Sequence, residues 1–320
     1  MHAKVKNIQI DVIPVIDVAP MFEGEKGERE VGTKLLNTVQ EVGFFYIKNH
    51  SVQQSLIDEV FAQGKRFFRA TTEQKNEVMI KDFHRGFLPI GEAKMSGAQC
   101  EDYKESFVWG WEVAKDDIEV RNSNGMLAPN RWPSFQPKME KIFSSYLIEV
   151  NTLGVHLLGA LALGLGVNRE HFIRCFSKPL TRAAVVYYPP QPSEKDNQQY
   201  GVSPHTDYGC ITLLYQDEVG GLQVRHRNGE WVTAHPLPGT YVVNIGDLLH
   251  RWSNKRFISN PHRVINISGK ERFSVPVFVD PDWNTLIEPL RNSNEQQHYP
   301  PVRCADYIHS IYKKSFAYRS

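Results

Sequence analysis

Along the chain the spacing of apolar residues changes character once, near Ala183. Before that point the periods are mostly helical. Val31, Leu35, Val39 and Val42 predict a helix over 28–42, closed by Gly43. Phe44 to Ile47 then reads as a strand, and residues 9–17 as a short edge strand, where Pro14 is tolerated. Ser51-Val-Gln-Gln fits a capping box opening a helix that carries Ile57, Val60, Phe61, Phe67 and Phe68. Thr71-Thr-Glu-Gln offers a second capped start. The widest apolar stripe follows Pro137 and runs from Met139 to Leu161, broad enough to lie along a sheet. Gly164 and Gly166 close it, and Asn168 caps a short helix beyond. Between these helices, residues 82–132 show no clear period and read as a long loop.

After Ala183 the texture becomes short runs of Val, Ile, Tyr and Phe split by Gly, Pro and Asn, which is the signature of strands and turns. Strands are expected over 232–243, 245–249, 264–267 and 275–279, with a polar loop at 191–200 placed to act as a lid and a last helix over 303–314. Helices followed by strands predict a mainly β, α+β fold: a jelly-roll β-sandwich with helices packed outside, braced by the long helix. The expected organisation is one domain over 1–320. It would have a mostly helical part with edge strands at 1–180, a β core at 181–290 and a C-terminal helix at 291–320.

Candidate chemistry sits inside the strand-rich half. In Ser203-Pro-His-Thr-Asp-Tyr-Gly, His205 and Asp207 stand two apart, so on a strand both would project from one face. A third candidate ligand is His262 in Asn-Pro-His-Arg-Val, with His226, His235 and His250 as competitors. Two His and one carboxylate with open positions make the facial triad of non-haem Fe(II) oxygenases. His250 follows Asp247 by three, so on the strand expected there the two would face opposite sides. Further on, Arg272-Phe-Ser274 repeats the two-apart device with a guanidinium and a hydroxyl, suited to bidentate capture of a carboxylate. An Arg flanked by Phe273 and Val275 is expected to be buried with an anionic partner.

These segments, with Ile13-Pro-Val-Ile-Asp17, Gly43-Phe-Phe-Tyr-Ile-Lys-Asn-His50, Val186-Tyr-Tyr-Pro-Pro190, Gly220-Gly-Leu-Gln-Val224 and Asn244-Ile-Gly-Asp247, stand in the order of a known family. The chain resembles the 2-oxoglutarate/Fe(II)-dependent dioxygenases of the isopenicillin N synthase-like branch over nearly its whole length. The resemblance implies a double-stranded β-helix (jelly roll) core, Fe(II) held by His205, Asp207 and His262, and 2-oxoglutarate held at its distal carboxylate by Arg272, Ser274 and Tyr188. It also implies O2 as oxidant, ascorbate as reductant in vitro, and oxidation of a small organic substrate coupled to release of succinate and CO2. Where some plant members carry Asn two residues before that Tyr, this chain has Val186. The metal loop and the Gly220-Gly hairpin look closer to microbial, thymine-hydroxylase-like members. One alternative is an oxidase of the same fold that uses no 2-oxoglutarate, its Arg-x-Ser binding a substrate carboxylate. A zinc hydrolase and a non-catalytic binding protein are the others.

Composition narrows the partners. A net charge of +1 gives no electrostatic footprint for nucleic acid or an anionic membrane, and neither is expected. Four scattered cysteines without a C-x-x-C pair argue against a zinc knot or disulfide scaffold and suit the cytoplasm. The start of the chain carries no signal-peptide core, and the uncharged run over 153–167 is too short to span a bilayer. A monomer or weak homo-oligomer is expected.

Overall fold

A computed structural model describes residues 13–81, 83–94, 98, 100–123, 125–191, 199–266 and 268–315. The N-terminal half comprises β1 (Val15–Asp17), α1 (Glu25–Glu41), β2 (Phe44–Lys48), α2 (Gln54–Phe68), α3 (Thr72–Asn76), β3 (Gly86–Leu88), β4 (Glu105–Gly110), α4 (Ile118–Asn122), α5 (Met139–Gly164) and α6 (Glu170–Ile173). The second half begins with β5 (Arg182–Tyr188), β6 (Val202–His205), β7 (Ile211–Gln216), β8 (Leu222–Arg225), β9 (Trp231–Thr233) and β10 (Thr240–Ile245). It ends with α7 (Asp247–Trp252), β11 (His262–Val264), β12 (Arg272–Val279), β13 (Leu286–Ile287), β14 (Val302–Arg303) and α8 (Cys304–Ser315).

Two sheets carry the fold. The larger has eight strands in the order β1-β2-β10-β7-β12-β5-β4-β3, and the smaller has four, β6-β11-β8-β9. Side chains of both sheets line one cavity between them, and the helices lie outside, which is the jelly roll the strand pattern predicts. The N-terminal half supplies both edges of the large sheet, β1 and β2 on one side, β4 and β3 on the other. Among the described residues β1 pairs, in parallel, with β2 alone, so Pro14 lies at the outer edge, where no ladder bond is lost.

Helix α5 braces this frame. Leu153, Leu157 and Leu158 are buried, and the Trp109 indole of β4 donates to the Phe143 carbonyl at 3.0 Å. α1 crosses α5 closely at Gly32, where a Cβ would stand 2.1 Å from the Ala160 carbonyl oxygen. By length and composition α5 could cross a membrane, but most of its apolar window is buried inside the protein, as in a core helix.

Several expectations change. The strand predicted over 245–249 ends at Ile245 and turns into α7, and the run over 232–243 splits into β9 and β10. Residues 82–132 are not all loop, because β3 and β4 extend the large sheet there. Ser51 caps nothing: α2 starts after Gln53 without a side-chain cap. Thr71 does form its capping box, with Thr71 Oγ1 accepting from the Gln74 amide at 3.3 Å and Gln74 Oε1 from the Thr71 amide at 3.1 Å. The predicted lid loop falls largely outside the described residues, at 192–198.

Candidate active site

β6 and β11 run antiparallel with His205 and His262 as direct cross-strand partners, their ring centroids 4.2 Å apart. β6 ends at His205, so Asp207 does not reach the same point by strand alternation; it lies past the strand end, on the loop into β7. Asp207 Oδ1 is 3.7 Å from His205 Nε2 and 3.7 Å from His262 Nε2. One ligand atom from each of the three lies within 4.8 Å of the others.

Every other polar atom of the three is engaged. His205 Nδ1 is 2.8 Å from the Ser203 carbonyl and His262 Nδ1 is 3.3 Å from that of Asn260. Carbonyls only accept, so each Nδ1 carries the proton and each Nε2 keeps its lone pair for a metal. Asp207 Oδ2 accepts from Thr212 Oγ1 at 2.5 Å and from Asn244 Nδ2 at 2.7 Å, leaving Oδ1 for the metal. Burial pushes the Asp207 carboxyl up, but His262, His205 and the Thr212 hydroxyl outweigh it and hold the group well below the usual carboxylate range. Burial and the neighbouring His205 push His262 down to about 4, so its imidazole is neutral. The donor set therefore fits a divalent cation held on one face by two neutral imidazoles and one carboxylate.

The loop is clamped from behind. The amides of Gly246, Asp247 and Leu248 donate to the carbonyls of Cys210, Asp207 and Gly209 at 2.8, 2.7 and 3.0 Å. This approach needs glycine, since a Cβ at Gly246 would stand 2.2 Å from the Gly209 oxygen. Asp247 accepts from Thr206 Oγ1 at 2.9 Å and from Ser259 Oγ at 2.7 Å, joining the segments that carry Asp207 and His262. His250 is far from this role: on α7 its Nδ1 is 2.5 Å from the Phe257 carbonyl and its Nε2 3.0 Å from the Tyr299 hydroxyl. The competitor is excluded by helix geometry, not by the strand alternation expected of it.

Arg272 opens β12 between Tyr188 of β5 and the loop after β7. It is 0% exposed, and its guanidinium lies 4.6 Å from the Tyr188 ring centroid. Its Nη1 donates to Ser274 Oγ at 3.3 Å and its Nη2 to Gln216 Oε1 at 3.2 Å, while Nε is buried with no partner. Among the described residues Arg272 makes no direct ion pair; Asp217, whose Oδ2 accepts from the Phe273 amide, is close enough to feel its charge. A fully buried guanidinium without a direct ion pair is costly, so this end fits a ligand carboxylate. Arg272, Ser274, Tyr188 and the triad line one cavity of ≈ 150 Å³. Val186, where some plant members carry Asn, is paired with Ser106 of β4, whose side chain faces the same cavity.

The comparisons agree with this geometry. The sequence profile of the 2OG-Fe(II) oxygenase superfamily matches residues 181–281, and that of the N-terminal region of non-haem dioxygenases in morphine synthesis matches residues 13–135. A 2-oxoglutarate-Fe(II) type oxidoreductase of Emericella nidulans, hxnY, is 35% identical over 95% of this chain and 90% of its own. The chain belongs to the 2OG-Fe(II) oxygenase superfamily. A homoarginine-6-hydroxylase of Glycine max is 34% identical over 87% of this chain and 88% of its own. The crystal structure of a full-length Neurospora crassa protein in complex with alpha-KG and thymine superposes with a TM-score of 0.84 at 28% identity, covering 97% of this chain and 99% of that one. This oxygenase is thus a non-haem Fe(II) enzyme that couples oxidative decarboxylation of 2-oxoglutarate to oxidation of an organic substrate, with ascorbate the family's usual reductant. The oxidase without 2-oxoglutarate is not favoured.

Sequence reasoning missed Thr212, Gln216 and the roles of Asn244 and Asp247. The Asn244-Ile-Gly-Asp247 segment was visible as a motif; only the fold gives it its partners.

Proposed function

We propose that His205, Asp207 and His262 hold the Fe(II), and that Arg272, Ser274 and Tyr188 hold the distal carboxylate of 2-oxoglutarate. The substrate is a small organic molecule admitted to the same cavity, and its oxidation is a hydroxylation, desaturation or ring closure. One observation carries this reading: the two-His, one-carboxylate cluster and a fully buried Arg hydrogen-bonded only to neutral side chains share a single cavity. When bound, the iron with its cosubstrate supplies the redox chemistry.

The residues of the chain position and exclude. Thr212 and Asn244 fix which Asp207 oxygen faces the metal, and the Ser203 and Asn260 carbonyls fix the tautomers of the two histidines. Phe44 packs edge-on against His262 with centroids 5.3 Å apart and keeps water from that ligand. Leu222, Val264 and Val202 add apolar wall to the cavity that Arg272 also lines. Such a wall strengthens the charge-assisted pair that Arg272 would form with a carboxylate.

The test is anaerobic loading with Fe(II), then oxygen, ascorbate and 2-oxoglutarate, with succinate as readout. Succinate in step with 2-oxoglutarate consumption is expected, and no succinate would sink the reading. The four free cysteines support a cytoplasmic location. The mixing of both halves in one sheet supports a single functional unit.

A further inference from the structure

The backbone that carries Arg272 is held unequally on its two sides. Toward β5 it is paired throughout: Arg272, Phe273 and Ser274 lie opposite Tyr188, Tyr187 and Val186. Toward β7 the ladder stops at Ser274, whose partner Gln216 is the last residue of that strand. Arg272 and Phe273 therefore project past the end of β7, and a strand end without a neighbour frays. Asp217, one step beyond β7, takes the place of the missing strand. Its amide donates to the Phe273 carbonyl at 3.1 Å, and its Oδ2 accepts from the Phe273 amide at 2.5 Å. Its Oδ1 accepts from the Val219 amide at 3.0 Å and so turns the chain out of the sheet. The turn leads to Gly221, whose carbonyl accepts from the Ile265 amide at 2.9 Å and where a Cβ would stand 3.8 Å from Arg272 Cδ. One carboxylate thus anchors the backbone between Arg272 and Ser274 and shapes the turn that passes beside the Arg272 stem.

Asp217 is half-buried on an outer groove and does not line the metal cavity. Burial raises its carboxyl above the ordinary value, against the lowering pull of the Phe273 amide and of Arg272. Two effects on a bound dianion follow, and they have opposite signs. The negative charge by itself would weaken the attraction that Arg272 exerts on an anion. The two hydrogen bonds by themselves would strengthen binding, because a guanidinium already in place loses less freedom when a ligand arrives. Position wins here: Asp217 bonds the backbone directly but makes no direct ion pair with Arg272, and its half-exposed charge is screened by solvent.

We propose that Asp217 is a positioning residue for the cosubstrate: by standing in for the strand that β7 does not supply, it sets how far Arg272 stands from the metal, and so the length of 2-oxo diacid that spans the two. This rests on the functional reading above and adds to it a residue outside the cavity. Gln216 completes the brace, since its Nε2 donates to the Ala234 carbonyl at 3.2 Å and its Oε1 is thereby turned toward Arg272.

The test is equilibrium dialysis, under nitrogen, of the Fe(II)-loaded enzyme with 2-oxoglutarate and with 2-oxoadipate, which is one methylene longer. The parent is expected to prefer 2-oxoglutarate by about tenfold or more. Asp217→Asn keeps the shape but sets an NH2 group against one of the two backbone amides, which need acceptors. It should bind 2-oxoglutarate about tenfold more weakly and narrow the preference over 2-oxoadipate by roughly fivefold, with iron content at the parent level. Asp217→Glu keeps the charge and moves the carboxylate out by one methylene. It should change both quantities in the same direction, and it decides should the Asn variant fail to fold. Tighter binding in Asp217→Asn with parent-like binding in Asp217→Glu would make the residue a charge regulator and overturn the proposal. Unchanged binding, equal losses for the two diacids, or a parent without a length preference would overturn it too. A parent that binds no 2-oxoglutarate refutes the functional reading and this inference with it, whereas parent binding with unmoved variants refutes this one alone.

Discussion

The two ends of the cavity are built on opposite principles. At the metal end every atom that does not face the metal is tied: both Nδ1 atoms to carbonyls, Asp207 Oδ2 to two donors, the loop backbone to α7. At the cosubstrate end Arg272 is fully buried, leans on neutral partners and keeps one nitrogen unpaired. The first end is organised in advance, so a metal finds its donors in place and little ordering entropy is left to lose. On the proposed assignment the second holds a buried guanidinium without a direct ion pair, which a dianion would relieve on binding. A resident cofactor and a consumed cosubstrate call for this difference, because the metal should stay and 2-oxoglutarate should come and go with each turnover.

The comparison breaks most visibly at the ligands. His262→Ala or His205→Ala should lose tight Fe(II) binding by more than about a hundredfold and lose turnover with it, since removing a ligand exceeds the usual cost of disturbing a supporting contact. Metal content after anaerobic loading and gel filtration checks this; iron retained at the parent level in either variant would refute the triad. Next in size is Arg272→Ala, which removes one charge-assisted carboxylate pair of about 2–4 kcal/mol. The Michaelis constant for 2-oxoglutarate should rise steeply while metal content stays near the parent's. An unchanged 2-oxoglutarate dependence would move the site to other residues.

Asn244→Ala sharpens the contrast from the organised side. It frees Asp207 Oδ2 from one of its two donors, so Fe(II) affinity should fall by about 10–100-fold. The 2-oxoglutarate constant, measured at saturating metal, should change little. Equal losses at both ends would mean that Asn244 serves the fold generally and not the ligand orientation.

The sequence carried the reacting groups more legibly than their supports. His205 and Asp207, like Arg272 and Ser274, stand two apart within local segments, so each pair was visible as a candidate, although Asp207 reaches its place from the loop after β6 and not by strand alternation. The supports are long-range. Asn244 reaches Asp207 from β10, Asp247 joins Thr206 to Ser259, and Tyr312 reaches the cavity from α8. No local period announces them. The strand expected through Leu249 failed for the same reason: Gly246, Asp247 and Leu248 give their amides to the metal loop, and tertiary bonding overrides an apolar run that could have continued as a strand. In the loop expected over 82–132, β4 was hidden because its pattern is short and nearly all buried, lacking the alternation that marks a half-exposed strand.

His250 supplies the smallest expected effect and the cleanest control. It neighbours Asp247 in sequence, as His205 neighbours Asp207, yet α7 turns it toward Phe257 and Tyr299, where both ring nitrogens are engaged. An imidazole with Nδ1 at a carbonyl and Nε2 at a phenol has no lone pair free for a cation, so its role is to pin the segment after α7. His250→Ala should therefore leave iron content at the parent level. Stability should drop by about 1–3 kcal/mol, because the Phe257 carbonyl loses its donor and is left in a part-buried place. Thermal unfolding of the metal-free protein reads that loss, and metal analysis reads the control. Loss of iron on replacing His250, with His262 dispensable, would reverse the assignment of the third ligand. A change in neither quantity would show that the two hydrogen bonds of His250 are replaced by water at no cost.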